Sequence, residues 1–200
     1  MFSKIKQVID KIDFTSISEN RKTELEVLSQ FIQGKKNAGT PALLNFICTH
    51  NSRRSQFSQV WAQVAADYYN IEVNSFSGGV EETAFNERAI ASLERFGFNI
   101  LKEGKNNPHY TVSWKNEGTP LIMFSKMYDD SVNPTAEFAA IMTCSHADEN
   151  CPFVAGCEKR IPIRYEDPKN YDDTPLEAPF YDYRSFEIAT ELFYIFSKIK

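Results

Sequence analysis

Cys48 and Arg54 stand six positions apart in the segment Cys48-Thr-His-Asn-Ser-Arg-Arg54-Ser55. Residues of these types can do chemistry together. A thiolate is a strong nucleophile, a guanidinium offers a two-pronged donor that matches a tetrahedral oxyanion, and a serine hydroxyl can donate a further hydrogen bond to sulfur. A loop of this length can also wrap so that successive backbone N–H groups converge on one point, and a helix opening at its end adds its positive pole. The expected product is a nucleophile facing a bound anion. A Cys-(x)5-Arg-Ser match is expected by chance only about 0.01 times in a chain of this length and composition, so the pattern is specific enough to argue from. The competing reading is a cysteine simply buried in a strand, the commonest fate of that residue.

The flanking residues decide whether such a loop can form. Ala42 to Ile47 is an apolar run interrupted only by Asn45, which predicts a strand buried on both faces. After the polar loop, Phe57, Val60, Trp61, Val64, Ala65 and Tyr68 recur at helical spacing. The rhythm continues with a strand near 71–76, a Gly-Gly turn at 78 and 79, and a helix over 86–96 closed by Gly97. Strand signals at 109–114 and 121–124, with a turn between them, predict an inserted hairpin within 101–136. Further strands are expected at 137–144 and 161–164, and an amphipathic helix from Phe180 to Phe196. The first 40 residues read as two helices, the second opened by a Ser16–Glu19 capping box and stopped at Gly34. Strands alternating with helices predict an α/β domain with a parallel sheet and a site at the carboxyl ends of its strands.

Composition narrows the function classes. The 200 residues carry 22 Lys and Arg against 27 Asp and Glu, a net charge of −5, which argues against nucleic acid or an anionic membrane as the main partner. No apolar run approaches the roughly 18 to 20 residues of a membrane span, and Met1 to Phe14 lacks the apolar stretch of a signal peptide. A cytoplasmic location is therefore expected, and with it cysteines at 48, 144, 151 and 157 that serve catalysis, metal binding or burial rather than a secreted disulfide framework. Zinc is disfavoured, because a seven-residue ligand spacing without clustered histidines does not match tetrahedral sites. No bound metal is expected.

The segment from Phe46 to Gln56 resembles the active-site loop of the low-molecular-weight protein tyrosine phosphatase superfamily, particularly the thioredoxin-coupled arsenate reductases. The resemblance covers roughly 42–100 and 137–197. It implies a flavodoxin-like open four-stranded parallel sheet with helices on both faces, over 41–200, with 1–40 as a helical extension packed on it. It makes Cys48 the nucleophile, Arg54 the oxyanion clamp and Ser55 a hydrogen-bonding partner of the thiol, with Thr49, His50, Asn51, Ser52 and Arg53 completing the oxyanion loop. Asn51 matches an asparagine that braces the loop. His50 and Arg53 depart from the glycine and cysteine usual there, and the histidine questions the loop's backbone freedom. Gln59 stands where some members use glutamate at a potassium site.

A second segment, Thr143-Cys144-Ser-His-Ala-Asp148-Glu-Asn150-Cys151-Pro152, resembles the redox segment of the arsenate reductases. It implies that Cys144 attacks Cys48 once arsenate is bound and that Cys151 then attacks Cys144. Thioredoxin would be the external reductant, with no tightly bound cofactor. Tyr165-Glu-Asp167-Pro168 resembles the family's Asp-Pro loop, which makes Asp167 the acid that protonates the leaving oxygen. If 144–151 were helical the two Cα atoms would lie about 10 Å apart, beyond the roughly 7 Å a disulfide spans, so a conditionally ordered loop is expected there. Cys157 matches no family role. His109 and His146 read as surface residues, and Asp172-Asp173 with Tyr181, Asp182 and Tyr183 as a solvated rim. Two other functions compete with arsenate reduction: hydrolysis of phosphotyrosine or small phosphate esters by Cys48, Arg54 and Asp167, and non-catalytic oxyanion binding.

Overall fold

The computed structural model describes residues 1–151 and 153–200; Pro152, quoted for the redox segment, lies outside the described residues. Four strands, β1 (Ala42–Cys48), β2 (Val73–Gly79), β6 (Phe138–Met142) and β7 (Cys157–Pro162), form a parallel sheet in the order β2-β1-β6-β7. The chain crosses between them through α3 (Arg54–Tyr69), α4 (Glu87–Phe96), the short α5 (Ser145–Asn150) and, after β7, α6 (Glu177–Ser197). Alternation along the central strands divides the interior in two. Leu44, Phe46, Ala139 and Ile141 belong to a large core shared with the long helices, whereas Ile47, Phe138, Ala140 and Met142 belong to a smaller one that also holds Cys48, Cys144 and Cys151.

The N-terminal helices α1 (Ser3–Ile9) and α2 (Glu19–Asn37) send Ile5, Val8, Leu25, Leu28, Phe31 and Ile32 into the larger core. The capping residue of α2 is Ser18, which accepts from the Arg21 N–H at 3.3 Å, not Ser16, whose hydroxyl is spent on the Asp13 carbonyl at 2.6 Å within a 3-10 turn. The helix also runs through Gly34 to Asn37, because leucines and phenylalanine packed on one face outweigh the roughly 1 kcal/mol propensity cost of one glycine.

Three further differences bear on the site. Gly78 and Gly79 end β2 rather than forming a turn; a Cβ at Gly78 would lie 2.2 Å from the Tyr128 Cα, and one at Gly79 would lie 2.7 Å from the Asn51 N, so the glycines permit close backbone contact. The insertion is not a hairpin but a three-stranded antiparallel sheet of β3 (Asn99–Glu103), β4 (His109–Ser113) and β5 (Leu121–Met123); the charged, exposed β3 shows no hydrophobic alternation. β7 begins at Cys157, ahead of the expected 161–164. Among the described residues no helix is long and apolar enough to cross a membrane.

Candidate active site

The six residues from Cys48 to Arg53 turn their carbonyls outward. The Cys48 and Thr49 oxygens accept from the N–H groups of Val80 (3.1 Å) and Glu81 (2.8 Å), Ser52 from that of Asn86 (3.0 Å) and Arg53 from that of Phe57 (2.9 Å). The His50 oxygen accepts from the Ser125 and Thr83 hydroxyls, and the Asn51 oxygen from the Gln56 amide at 2.8 Å. Among the described residues, the N–H groups of Thr49 to Arg53 have no acceptor. Peptide geometry then directs those N–H groups inward, as an anion cradle requires.

The loop can fold this way because its single left-handed residue is Asn51, at φ 46°, a conformation that asparagine tolerates better than most side chains. His50 needs no positive φ, so the glycine usual at its position is dispensable here.

Asn51 fixes the hydrogen bond that reaches Cys48. Its Oδ1 accepts from the Lys126 backbone N–H at 3.0 Å, which sets the amide orientation, and its Nδ2 donates to Ser55 Oγ at 2.9 Å. The serine hydroxyl lies 3.0 Å from Cys48 Sγ and, having accepted, is free to turn its own proton to the sulfur. Asn51 and Ser55 thus form a relay of hydrogen bonds that ends on the sulfur. Lys126 and Ser125 come from the end of the insertion, so that segment braces the loop, a role its sequence does not disclose.

Arg54, the first residue of α3, points its Nη2 at Asp167 Oδ2, 2.6 Å away, and its Nη1 at the Tyr165 carbonyl, 3.1 Å away. The other Asp167 oxygen accepts from the Lys169 N–H at 3.0 Å and caps a 3-10 turn begun by Pro168. Clamp and candidate acid are therefore brought together. Arg53 is turned elsewhere: its Nε donates to the Tyr181 hydroxyl at 2.7 Å, which donates in turn to Asp172 at 2.8 Å. Tyr181, which is buried, and the half-buried Asp172 are thus partners of the loop rather than a solvated rim. Arg53 accordingly contributes its backbone to the cradle, while its side chain ties the loop to α6.

The thiol pair lies on the same side. Cys144 is fully buried; its Sγ accepts from the Ala147 N–H at 3.3 Å as the cap of α5 and lies 3.5 Å from the Thr49 hydroxyl. The Thr49 hydroxyl also lies 3.2 Å from His146 Nδ1, so this exposed histidine touches the loop. The segment expected as a loop is a short helix, held by Asp148, whose carboxylate pairs with Arg160 at 2.6 Å and with Arg164. Those arginines are the partners that sequence reasoning missed. Burial pushes the Cys151 thiol above its ordinary value, against the pull of nearby Arg160, and burial does the same to the half-buried Cys157 packed beside the same core. All four cysteines are free. Gln59 donates to the Ser75 carbonyl and accepts from the Ser77 hydroxyl, and His109 is an exposed ring stacked on Phe124.

A groove of about 970 Å³ opens beside Arg54, Cys144 and Asp167. It is also lined by Ser16, Ile17, Ser18 and Arg21 from the N-terminal region and by Thr190 and Glu191 of α6.

The four-stranded α/β fold is shared with solved structures of low-molecular-weight phosphatases and arsenate reductases. A low-molecular-weight phosphotyrosine phosphatase from Vibrio cholerae O395 superposes with a TM-score of 0.53 at 10% identity, covering 78% of this chain and 95% of that one. An arsenate reductase in a phosphate-binding state superposes with a TM-score of 0.51 at 16% identity, covering 80% and 99%. No family model matches the chain. In sequence, an arsenate reductase of Staphylococcus aureus (strain Newman) is 29% identical over 130 residues, 64% of this chain and 80% of the relative. The chain is thus similar in sequence to arsenate reductases and in fold to low-molecular-weight protein tyrosine phosphatases and arsenate reductases.

Proposed function

We propose that the chain reduces arsenate to arsenite through Cys48, Cys144 and Cys151, with a thioredoxin-type dithiol as the external reductant. The Cys48 thiolate attacks arsenic and a hydroxide departs as water with a proton from Asp167. Cys144 then attacks the Cys48 sulfur; the new disulfide leaves two electrons on arsenic, which departs as arsenite. Cys151 attacks Cys144, freeing Cys48, and the dithiol reduces the remaining disulfide while itself becoming oxidised. The observation that supports this reading over others is the gathering of three buried free cysteines in one small core at the oxyanion loop. Ester hydrolysis needs only one of them.

The groove favours a second reading. Its volume of about 970 Å³ lies at the upper end of the roughly 300–1,000 Å³ typical of organic-ligand pockets, far more than a bare oxyanion fills. Phosphate-ester hydrolysis by Cys48, Arg54 and Asp167 would use that space for the leaving group. One experiment separates the readings: arsenate-dependent NADPH oxidation with thioredoxin and its reductase, run beside phosphate-ester hydrolysis. The expected result is that Cys48→Ser abolishes both, whereas Cys144→Ser and Cys151→Ser abolish only arsenate turnover. Absence of any arsenate-dependent rate in the wild type would overturn the reductase reading. Loss of both activities in Cys144→Ser would overturn the division of labour among the thiols. Oxyanion binding that depends on Arg54 without turnover of either substrate would leave only a binding module.

A further inference from the structure

Arg21 lies in α2, remote in sequence from every residue of the proposed reaction, yet it grips the segment that carries the acid. Its Nε and Nη2 donate to the two oxygens of Glu191 at 2.8 and 2.9 Å, and Nη2 also donates to the Arg164 carbonyl at 3.1 Å. Its guanidinium sits over the Tyr165 ring, 5.3 Å from the centroid. Tyr165 is the hub: its N–H donates to the Thr143 carbonyl at 3.1 Å, and its carbonyl accepts from Arg54. Two residues on stands Asp167. The sheet and Arg54 thus hold this segment from within, and Arg21 holds it from the groove side.

A bidentate pair with a carboxylate as buried as that of Glu191, only 7% exposed, has little freedom to rearrange. Burial works against the Arg21 cation, but its bonds to Glu191 outweigh that and hold it charged. Direct contact with the reacting atoms is not part of this geometry.

We propose that Arg21 is a positioning residue through which the N-terminal region sets the placement of Asp167 for proton donation. The proposal rests on the reading of Asp167 as the acid. Its effect must then depend on how much the leaving group needs a proton. For the hydrolysis of p-nitrophenyl phosphate, whose leaving group departs readily, Arg21→Met should change kcat by less than about twofold; for phenyl phosphate it should lower kcat about tenfold, with KM unchanged for both. Arg21→Lys, which keeps the charge but cannot reach both Glu191 and the Arg164 carbonyl, should fall between. In an Asp167→Asn background Arg21→Met should add no further loss, and the same lack of additivity should appear in single-turnover arsenate reduction. If Arg21→Met does not fold, Arg21→Met/Glu191→Gln removes the stranded carboxylate and serves in its place. Equal losses on the two esters, or a loss that persists without Asp167, would overturn the positioning role alone. An Asp167→Asn enzyme with no preference between the esters and an unchanged arsenate step would overturn the acid assignment, and the proposal with it.

Discussion

Arg54 Nη2 and Asp167 Oδ2 meet at 2.6 Å, so the proposed clamp for the oxyanion is paired with the proposed acid for its leaving group. Both side chains are largely buried, at 12% and 25% exposure. An entering oxyanion competes with the Asp167 carboxylate for the same guanidinium and is repelled by its charge. Asp167→Asn removes both obstacles. Phosphate, used as an inhibitor and followed by calorimetric titration, should bind several-fold tighter to Asp167→Asn, while turnover falls by about 10² to 10⁴, the usual contribution of a general acid. Weaker phosphate binding in the variant would mean that the carboxylate supports the site rather than competing for it.

Ser55 is the last link between Asn51 and Cys48. A hydrogen bond to a charged acceptor is worth about 1.5–3 kcal/mol, which corresponds to roughly ten- to a hundred-fold in an equilibrium constant. Ser55→Ala should therefore slow alkylation of Cys48 by iodoacetamide at neutral pH by about tenfold or more. Asn51→Ala should slow it as well, since it removes both the relay and the brace to Lys126. An unchanged rate in Ser55→Ala would exclude the relay.

Much of this site is legible in sequence because its signals are local. The run from Ala42 to Ile47, the polar loop and the helical spacing after Phe57 lie within a few turns of one another, and the observed β1 and α3 follow them closely. The residues that hold the loop and the Asp167 segment are not legible that way. Arg21 meets Glu191 170 positions away, Arg53 meets Tyr181 128 positions away, and Lys126 reaches Asn51 from the insertion. No period or motif connects such pairs; tertiary packing selects them. Asp172 reads as rim in sequence because an acidic tyrosine-rich stretch has the composition of a surface, and only the arrival of Arg53 gives it a buried partner.

Lys126 carries a cost that can be measured. Its side chain is almost fully buried against the Phe124 ring, 4.6 Å from the centroid, and burial lowers its pKa to about 8 from an ordinary 10.5. Below pH 8 the amine is charged in both folded and unfolded chains, and the fold bears the full cost of burying the cation. Between about pH 8 and 10.5 only the unfolded chain binds the proton, so this group makes stability rise with pH, and above that range its penalty is gone. The gap between the two values corresponds to an order-of-magnitude figure of about 3 kcal/mol. Lys126→Met should be more stable than wild type at pH 7 by up to that amount, with the advantage fading by about pH 10.5 in urea denaturation. The oxyanion loop should survive, since Asn51 is held by the backbone N–H of residue 126 and not by its amine.

In the proposed relay Cys151 resolves the disulfide, yet burial raises its pKa and only nearby Arg160 pulls it down. Only the thiolate attacks, so transfer of the disulfide from Cys48–Cys144 to Cys144–Cys151 should speed up with rising pH through the neutral and mildly alkaline range, close to tenfold per pH unit. Arg160→Gln removes the stabilising charge and should slow the transfer at pH 7, as read by acid quenching and mass mapping of the trapped disulfides. Geometry adds a second expectation. Cys144 and Cys151 flank α5, and seven helical steps of about 1.5 Å separate their Cα atoms by about 10 Å, against a limit near 7 Å for a disulfide. Six residues make too short a helix to persist without its packing and caps, and oxidation takes the Cys144 thiol that caps it. The amide protons of 147–151 should therefore exchange faster in the oxidised protein than in the reduced one. Absence of any trapped Cys144–Cys151 disulfide together with unchanged exchange would mean that Cys144 and Cys151 do not form the relay.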